Sequence, residues 1–127
     1  LRPNLHIDDM CDLYEELIFK NTSLINGEIF NAGTENLKIL EVAEKVKNIL
    51  ERKFNKKNIE IRIEPSSDIR SYQINSDKIQ KILGFKFKKN VNDAIEDLCL
   101  AFESGKIKDS FSDQWQNIKV LSKLKNI

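Results

Sequence analysis

The chain has 127 residues, with 21 Lys and Arg against 20 Asp and Glu, a net charge of +1. That is room for one domain with a modest core, and without a basic excess it does not read as a nucleic-acid-binding domain. Hydrophobic residues at 40% and charged residues at 32% fit a chain that folds in water, and no apolar run approaches the roughly 20 residues of a membrane span.

The first predicted element is a helix over residues 8–20. Met10, Leu13, Tyr14, Leu17 and Ile18 recur at i, i+3, i+4, i+7 and i+8, which is one helical face. Asp8 and Asp9 put negative charge at the positive end of its dipole. Asn26-Gly27 signals a turn, and a short strand is expected over 28–32, ending at Gly33. A second helix is expected over 38–53, with Ile39, Val42, Ala43, Val46, Ile49 and Leu50 on one stripe. Ile59, Ile61 and Ile63 alternate with Glu60, Arg62 and Glu64, the period-two pattern of a half-buried strand, which Pro65 ends. A third helix is predicted over 77–83, with Asn75 or Ser76 as N-cap and Gly84 at its C-terminal stop. The fourth is predicted over 91–103, with Val91, Ala94, Ile95, Leu98 and Phe102 on its buried side and Ser104-Gly105 after it. The tail, with Trp115, Ile118, Val120, Leu121 and Leu124, can form a last amphipathic turn or two. Two short strands so far apart make a poor sheet by themselves, so the chain reads as the back end of a longer protein.

Few residues offer chemistry. Cys11 and Cys99 lack metal-ligand or redox spacing and are read as reduced thiols. No glycine-rich dinucleotide loop, Gly-x-Ser-x-Gly elbow or His-Glu-x-x-His helix occurs. His6, the one histidine, is expected to hydrogen-bond backbone at a helix start rather than to act in catalysis. Lys86, Lys88 and Lys89 interleave with Phe85 and Phe87; with so little net charge, the alternation is read as a solvated edge with one buried side rather than a nucleic-acid surface. Arg2 and Arg70 each stand in a loop beside an element end. A guanidinium there offers a planar fork of donors to phosphate or carboxylate, and two of them suit a diphosphate; the plain alternative is a surface charge, for instance Arg70 paired with Asp68.

Several stretches then fall into a familiar order. "RPNLHIDDMCDLY" resembles the R-x-x-x-H-[VI]-x-D segment of NAD-dependent nucleotide-sugar epimerases and dehydratases, the extended short-chain dehydrogenase/reductase group, with Arg2, His6, Ile7 and Asp9 matching in spacing. "GEIFNAGTENLKILEVAEKV" resembles the family's (V/I)-(Y/F)-N-x-G stretch and the helix after it. "DIRSYQINSDKIQKILGF" is similar to its late D-x-R-x-Y loop and following helix, and "NVNDAIEDL" to its closing helix. The likeness covers residues 1–103. Phe87 stands where the family often carries a proline.

The resemblance implies an α/β fold: the C-terminal fragment of a Rossmann-type enzyme, with one helix and strand of the cofactor-domain sheet plus a small substrate-binding lobe. Residues 1–33 would be the orphaned helix-strand piece, 34–105 the nucleotide-sugar-binding lobe, and 106–127 a tail. The parent would hold NAD through G-x-x-G-x-x-G and act through a Y-x-x-x-K pair, neither of which lies in this chain, so the chain is expected to have no catalytic residue, to bind no cofactor or metal, and to be inactive alone. The resemblance assigns Arg2 and Arg70 to the diphosphate of a nucleoside-diphosphate sugar, with Asp68 contacting the ribose or orienting Arg70. It leaves His6, Asp9 and Asn31 as structural residues tying the first helix and strand into the sheet. A cytoplasmic location is expected, with no nucleic-acid or membrane partner, and a parent that is homodimeric through a region not in this chain. Produced alone, the chain is expected to expose the Met10/Leu13/Leu17 face and self-associate. The alternative is a stand-alone, non-catalytic module that binds nucleotide-sugars or a protein.

Overall fold

A carboxylate at the start of the first helix organises the chain. The computed structural model describes residues 1–65 and 70–124. Helix α1 (Ile7–Phe19) begins at His6, whose Nδ1 accepts the Asp8 backbone N–H at 3.1 Å. This is the backbone-capping role expected of the histidine, and it satisfies one of the amides a helix start leaves open. One residue on, Asp9 is 1% exposed. Its Oδ1 accepts the Lys88 backbone N–H and its Oδ2 the Lys89 backbone N–H, each at 3.0 Å. Asp9 is thus structural, but it ties α1 to residues 88–89 rather than to a sheet.

Helix α2 (Thr22–Ile25) is a single turn capped by the Asn21 side chain at 3.0 Å; no expectation covered it. Helix α3 (Ile39–Lys53) and helix α4 (Asp77–Leu83) lie where the periodicity puts them. The Asn75 carboxamide accepts the Asp77 N–H at 2.7 Å, and Gly84 ends α4 with φ 71°, a left-handed stop that glycine adopts without Cβ strain. The chain then turns back and drives Phe85 into a core with Leu13, Ile79 and Leu83, against which Leu17, Ile25, Phe30, Ala32 and Phe87 pack. Phe85 and Phe87 meet edge to face at 5.2 Å, while Lys88 reaches Asp12 at 2.6 Å. Helix α5 (Val91–Glu103) buries Val91 and Ile95, and its first turns are joined to α3 by Lys45–Asn92 at 3.3 Å and Lys53–Glu96 at 2.5 Å.

The fold is mixed α/β and mostly helical, with one small antiparallel sheet among the described residues. Strand β1 (Arg2–Asn4) pairs with β2 (Glu35–Leu37), setting Arg2 opposite Leu37, Pro3 opposite Asn36 and Asn4 opposite Glu35. The strands expected over 28–32 and 59–64 do not form. A ladder needs a partner edge, and no described segment supplies one. The alternation in 28–32 is nonetheless real, since Phe30 and Ala32 pack on the core while Ile29 is exposed.

The predicted face of α1 is also corrected. Leu13 is buried and Leu17 packs on the core, whereas Tyr14 and Ile18 are 63% and 76% exposed. The inward stripe runs through Asp9, Leu13 and Leu17, because the two amides held by Asp9 fix the rotation of the helix. The Met10/Leu13/Leu17 face is therefore not the exposed one; the outward apolar stripe is Ile7, Tyr14 and Ile18.

Two units are distinguished, Leu1–Asp97 and Leu98–Ile127. The second holds the end of α5, a 3-10 turn (Asp113–Trp115) and helix α6 (Asn117–Leu124). Here Asp113 accepts from Lys119 at 3.0 Å and Lys123 at 2.9 Å, and their ammonium groups hold its carboxyl below the usual carboxylate range. Leu98 and Phe102, expected on the buried side of α5, are exposed. Neither Cys11 nor Cys99 forms a disulfide among the described residues.

Removing the Asp9 side chain strands two buried amides. Asp9→Ala is expected to lower the unfolding free energy by about 2–4 kcal/mol, measured by urea denaturation, whereas Asp12→Ala on the exposed side of the same helix is expected to change it little.

Candidate functional site

The site is built on the short ladder. With β1 and β2 paired, Asn36 sits next to Pro3 and turns its carboxamide to the late loop. Its Nδ2 donates to the Ile74 carbonyl at 2.9 Å and its Oδ1 accepts the Ile74 N–H at 3.0 Å. One side chain thereby offers the donor and acceptor that a neighbouring strand would offer. Ser76 adds a reciprocal pair, its Oγ accepting the Gly33 N–H at 3.0 Å and donating to the Gly33 carbonyl at 2.8 Å. Gly33 has to be small here, since a Cβ would stand 2.8 Å from Ile74 Cδ1 and 3.3 Å from the Asn4 carbonyl oxygen. These bonds hold residues 70–76 alongside the sheet.

Arg2 is the side chain this arrangement fixes. Its Nη1 donates to the Leu1 carbonyl at 3.0 Å and also to the Arg70 carbonyl. The guanidinium carbon lies 5.2 Å from the centroid of the Tyr72 ring, within cation–π range. Tyr72 is held in turn by its backbone N–H, which donates to the Leu1 carbonyl at 3.2 Å. Arg2 lines a cleft of about 580 Å³. Its walls are apolar, from Ile39, Leu40 and Ala43 in the first turns of α3 and from Ile61 and Ile63 in the extended stretch. Arg62 and Glu64 add charge to the lining, and Arg62 pairs with Glu60 at 3.4 Å. An apolar cleft with an arginine in its lining suits a ligand with a flat or aliphatic body and an anionic group.

Arg2 and Arg70, 68 residues apart, are therefore brought together, through the Arg2 side chain and the Arg70 backbone. The Arg70 residue itself is exposed and is not among the cleft residues. Asp68 lies outside the described residues. Asn31 is exposed. Sequence reasoning did not single out Asn36, Ser76 or Tyr72 for the site. Tyr72 stands in the Arg-Ser-Tyr core of the late loop, but nothing in its spacing pairs it with Arg2.

The described residues do not fit a dinucleotide cofactor. Of the four glycines, Gly27, Gly84 and Gly105 have positive φ and open space around them, and Gly33 is crowded by Ile74. None follows a strand and opens a helix, as a pyrophosphate cradle requires. Among the described residues one cluster has potential metal ligands, His6, Asp8 and Asp97, whose donor atoms lie within 4.8 Å of one another. It is already occupied by a cation of the chain. The Lys89 ammonium sits 2.7 Å from Asp8 and 2.8 Å from Asp97. His6 spends Nδ1 on the Asp8 amide and sets Nε2 at 3.2 Å from Asp97. The hydrogen bonds from Lys89 pull the Asp97 carboxyl below the usual carboxylate range, and those to Asp8 and Asp97 push Lys89 above the usual lysine range.

Compared with known protein families, with curated proteins and with solved structures, the chain gives no match.

The Lys89 network sets a pH dependence. A carboxyl whose folded pKa is depressed stabilises the fold when ionised, and that stabilisation is lost as pH falls through the carboxylate range and below. Thermal midpoints are expected to fall between about pH 5 and about pH 2. Asp97→Asn, which keeps an acceptor for His6, is expected to flatten that fall, and an acid limb unchanged by the substitution contradicts the assignment.

Proposed function

We propose that this chain is the C-terminal, substrate-binding portion of an NAD-dependent nucleotide-sugar epimerase or dehydratase, and that its cleft takes the nucleoside diphosphate of the sugar. The observation that carries the reading is the meeting of Arg2 with the loop of Arg70 at the rim of an apolar cleft. The resemblance assigns those two arginines to one diphosphate although they stand at opposite ends of the motif series, and a contact between them is what that assignment requires. The order of the four motifs supports it as well.

In this reading the chain's work is binding. Arg2 brings its positive charge to the phosphates, the Arg70 side chain joins it from the exposed loop, and Asp68 contacts the ribose or orients Arg70. The walls formed by Ile39, Leu40 and Ile61 suit the flat face of a base or sugar. Binding free energy gathered at the diphosphate, remote from the reacting carbons, would orient the sugar ring for chemistry performed elsewhere in the parent. NAD would supply hydride transfer there, from a Rossmann domain whose glycine loop and tyrosine–lysine pair are outside this sequence. The parent would be a cytoplasmic homodimer, paired through that other region. No helix among the described residues is long and apolar enough to cross a membrane.

The test is calorimetric titration of the chain with nucleoside diphosphates of each base, with the free nucleosides as controls. A diphosphate is expected to bind more tightly than its nucleoside. Arg2→Ala, which removes a charge-assisted contact, is expected to weaken diphosphate binding by about 1.5–3 kcal/mol. Equal affinity for nucleoside and diphosphate, or an Arg2→Ala chain that binds like the unaltered one, contradicts the proposal.

A further inference from the structure

We propose that the cleft takes a guanine nucleotide and that Glu64 selects it, its carboxylate accepting the N1–H and the N2 amine on the hydrogen-bonding edge of the base. The proposal rests on the diphosphate reading above and names the base which that reading leaves open.

The cleft, about 580 Å³, falls within the size range of small-molecule sites. Four consecutive residues, Ile61, Arg62, Ile63 and Glu64, contribute to its lining. The two isoleucines, with Ile39 and Leu40 of α3, offer apolar surface to the face of a ring. Glu64 brings the one carboxylate of the lining among the described residues. Its neighbour is already engaged: Arg62 Nε and Nη2 both donate to Glu60 Oε2, each at 3.4 Å. Glu64 makes no hydrogen bond or ion pair among the described residues, is exposed and belongs to no core cluster. The fold does not depend on it, and its charge repels phosphates, so its place in the lining is explained by the rest of the nucleotide.

An ionised carboxylate accepts at two oxygens and donates nothing. It pairs fully with a ring edge that carries two adjacent donors, and guanine has such an edge in N1–H beside the N2 amine. Uracil and thymine set N3–H between two carbonyls. Adenine and cytosine set their amine beside a ring nitrogen that accepts. Each of these places one carboxylate oxygen against a lone pair. Paired charge-assisted bonds are the strong kind, and a polar group left facing the wrong partner rejects the base that brings it. A carboxylate can also grip the ribose diol, but that contact is common to every nucleotide and confers no preference.

The test is the dissociation constant of the guanosine, inosine, uridine, adenosine and cytidine diphosphates, and of the free nucleosides, for the unaltered chain and for Glu64→Gln. Inosine keeps N1–H and lacks the N2 amine, so that comparison needs no variant. Guanosine diphosphate is expected to bind about five- to tenfold more tightly than the uridine, adenosine and cytidine diphosphates, with inosine diphosphate between. Glu64→Gln is expected to keep the thermal midpoint and to lose most of the guanine preference. Its carboxamide sets a donor beside an acceptor, which matches the N3–H and carbonyl of uracil, so uridine diphosphate is expected to bind it no less tightly than it binds the unaltered chain.

An unaltered chain that binds every diphosphate alike, or inosine and guanosine diphosphates alike, overturns the proposal. So does a Glu64→Gln chain weakened by one factor for all of them, the signature of a ribose contact. In those cases diphosphates that bind more tightly than their nucleosides leave the diphosphate reading standing. If no diphosphate binds more tightly than its nucleoside, the diphosphate reading fails; a preference for free guanosine that Glu64→Gln removes then upholds the role of Glu64, and no such preference overturns it.

Discussion

The buried carboxylate of Asp9 is the constraint on which the first unit depends. An acidic group removed from water is costly unless its lone pairs are met by donors, and here they are met by the Lys88 and Lys89 amides and by the dipole of the helix it opens. The same two bonds satisfy two amides in a stretch that forms no ladder. Because the donors come 79 and 80 residues later in the chain, the bond closes α1 onto the segment between α4 and α5. It fixes the face that α1 turns inward, with Leu13 buried and Leu17 packed on the core. The surrounding lysines answer the charges that remain: Lys89 bridges Asp8 and Asp97, and Lys88 reaches Asp12.

The cleft stands on a second set of bonds. A sheet of two three-residue strands is a weak frame, and Asn36 and Ser76 reinforce it by giving the late loop the pairing that a third strand would give. Arg2, at the first position of β1, is held by the carbonyls of Leu1 and Arg70 and by the Tyr72 ring. The sheet thus serves less as a layer of the core than as a mount for one guanidinium.

Much of the helical structure was legible in the sequence. The span of α4 follows from a capping residue before and a glycine after its apolar stripe, and that of α5 from its stripe and the Ser104-Gly105 stop; Gly84 and Gly105 both have positive φ. Alternation misled over 28–32 and 59–64, because a period of two reports which side is buried and says nothing of whether a partner strand is present. Burial on α1 was misread for a different reason. Hydrophobic periodicity ranks Tyr14 and Ile18 as inward and Asp9 as outward, yet satisfied hydrogen bonds make an aspartate the most buried side chain on the helix. For the site, the resemblance singled out Arg2 and Arg70, and spacing alone offered no reason to bring them together. Asn36, Ser76 and Tyr72 act through long-range contacts to backbone or to a guanidinium, which leave no local pattern.

The central claim, that the Arg2 cleft is where this chain takes an anionic nucleotide ligand, is tested most directly by following backbone amide resonances while a nucleoside diphosphate is titrated into the intact chain. The account predicts saturable shifts at Arg2, Leu40, Ile61 and Tyr72, with the amides of Lys88 and Lys89 unmoved behind the Asp9 carboxylate. Shifts gathered instead around Asp12 and Lys86, or no saturable shift anywhere, would contradict it.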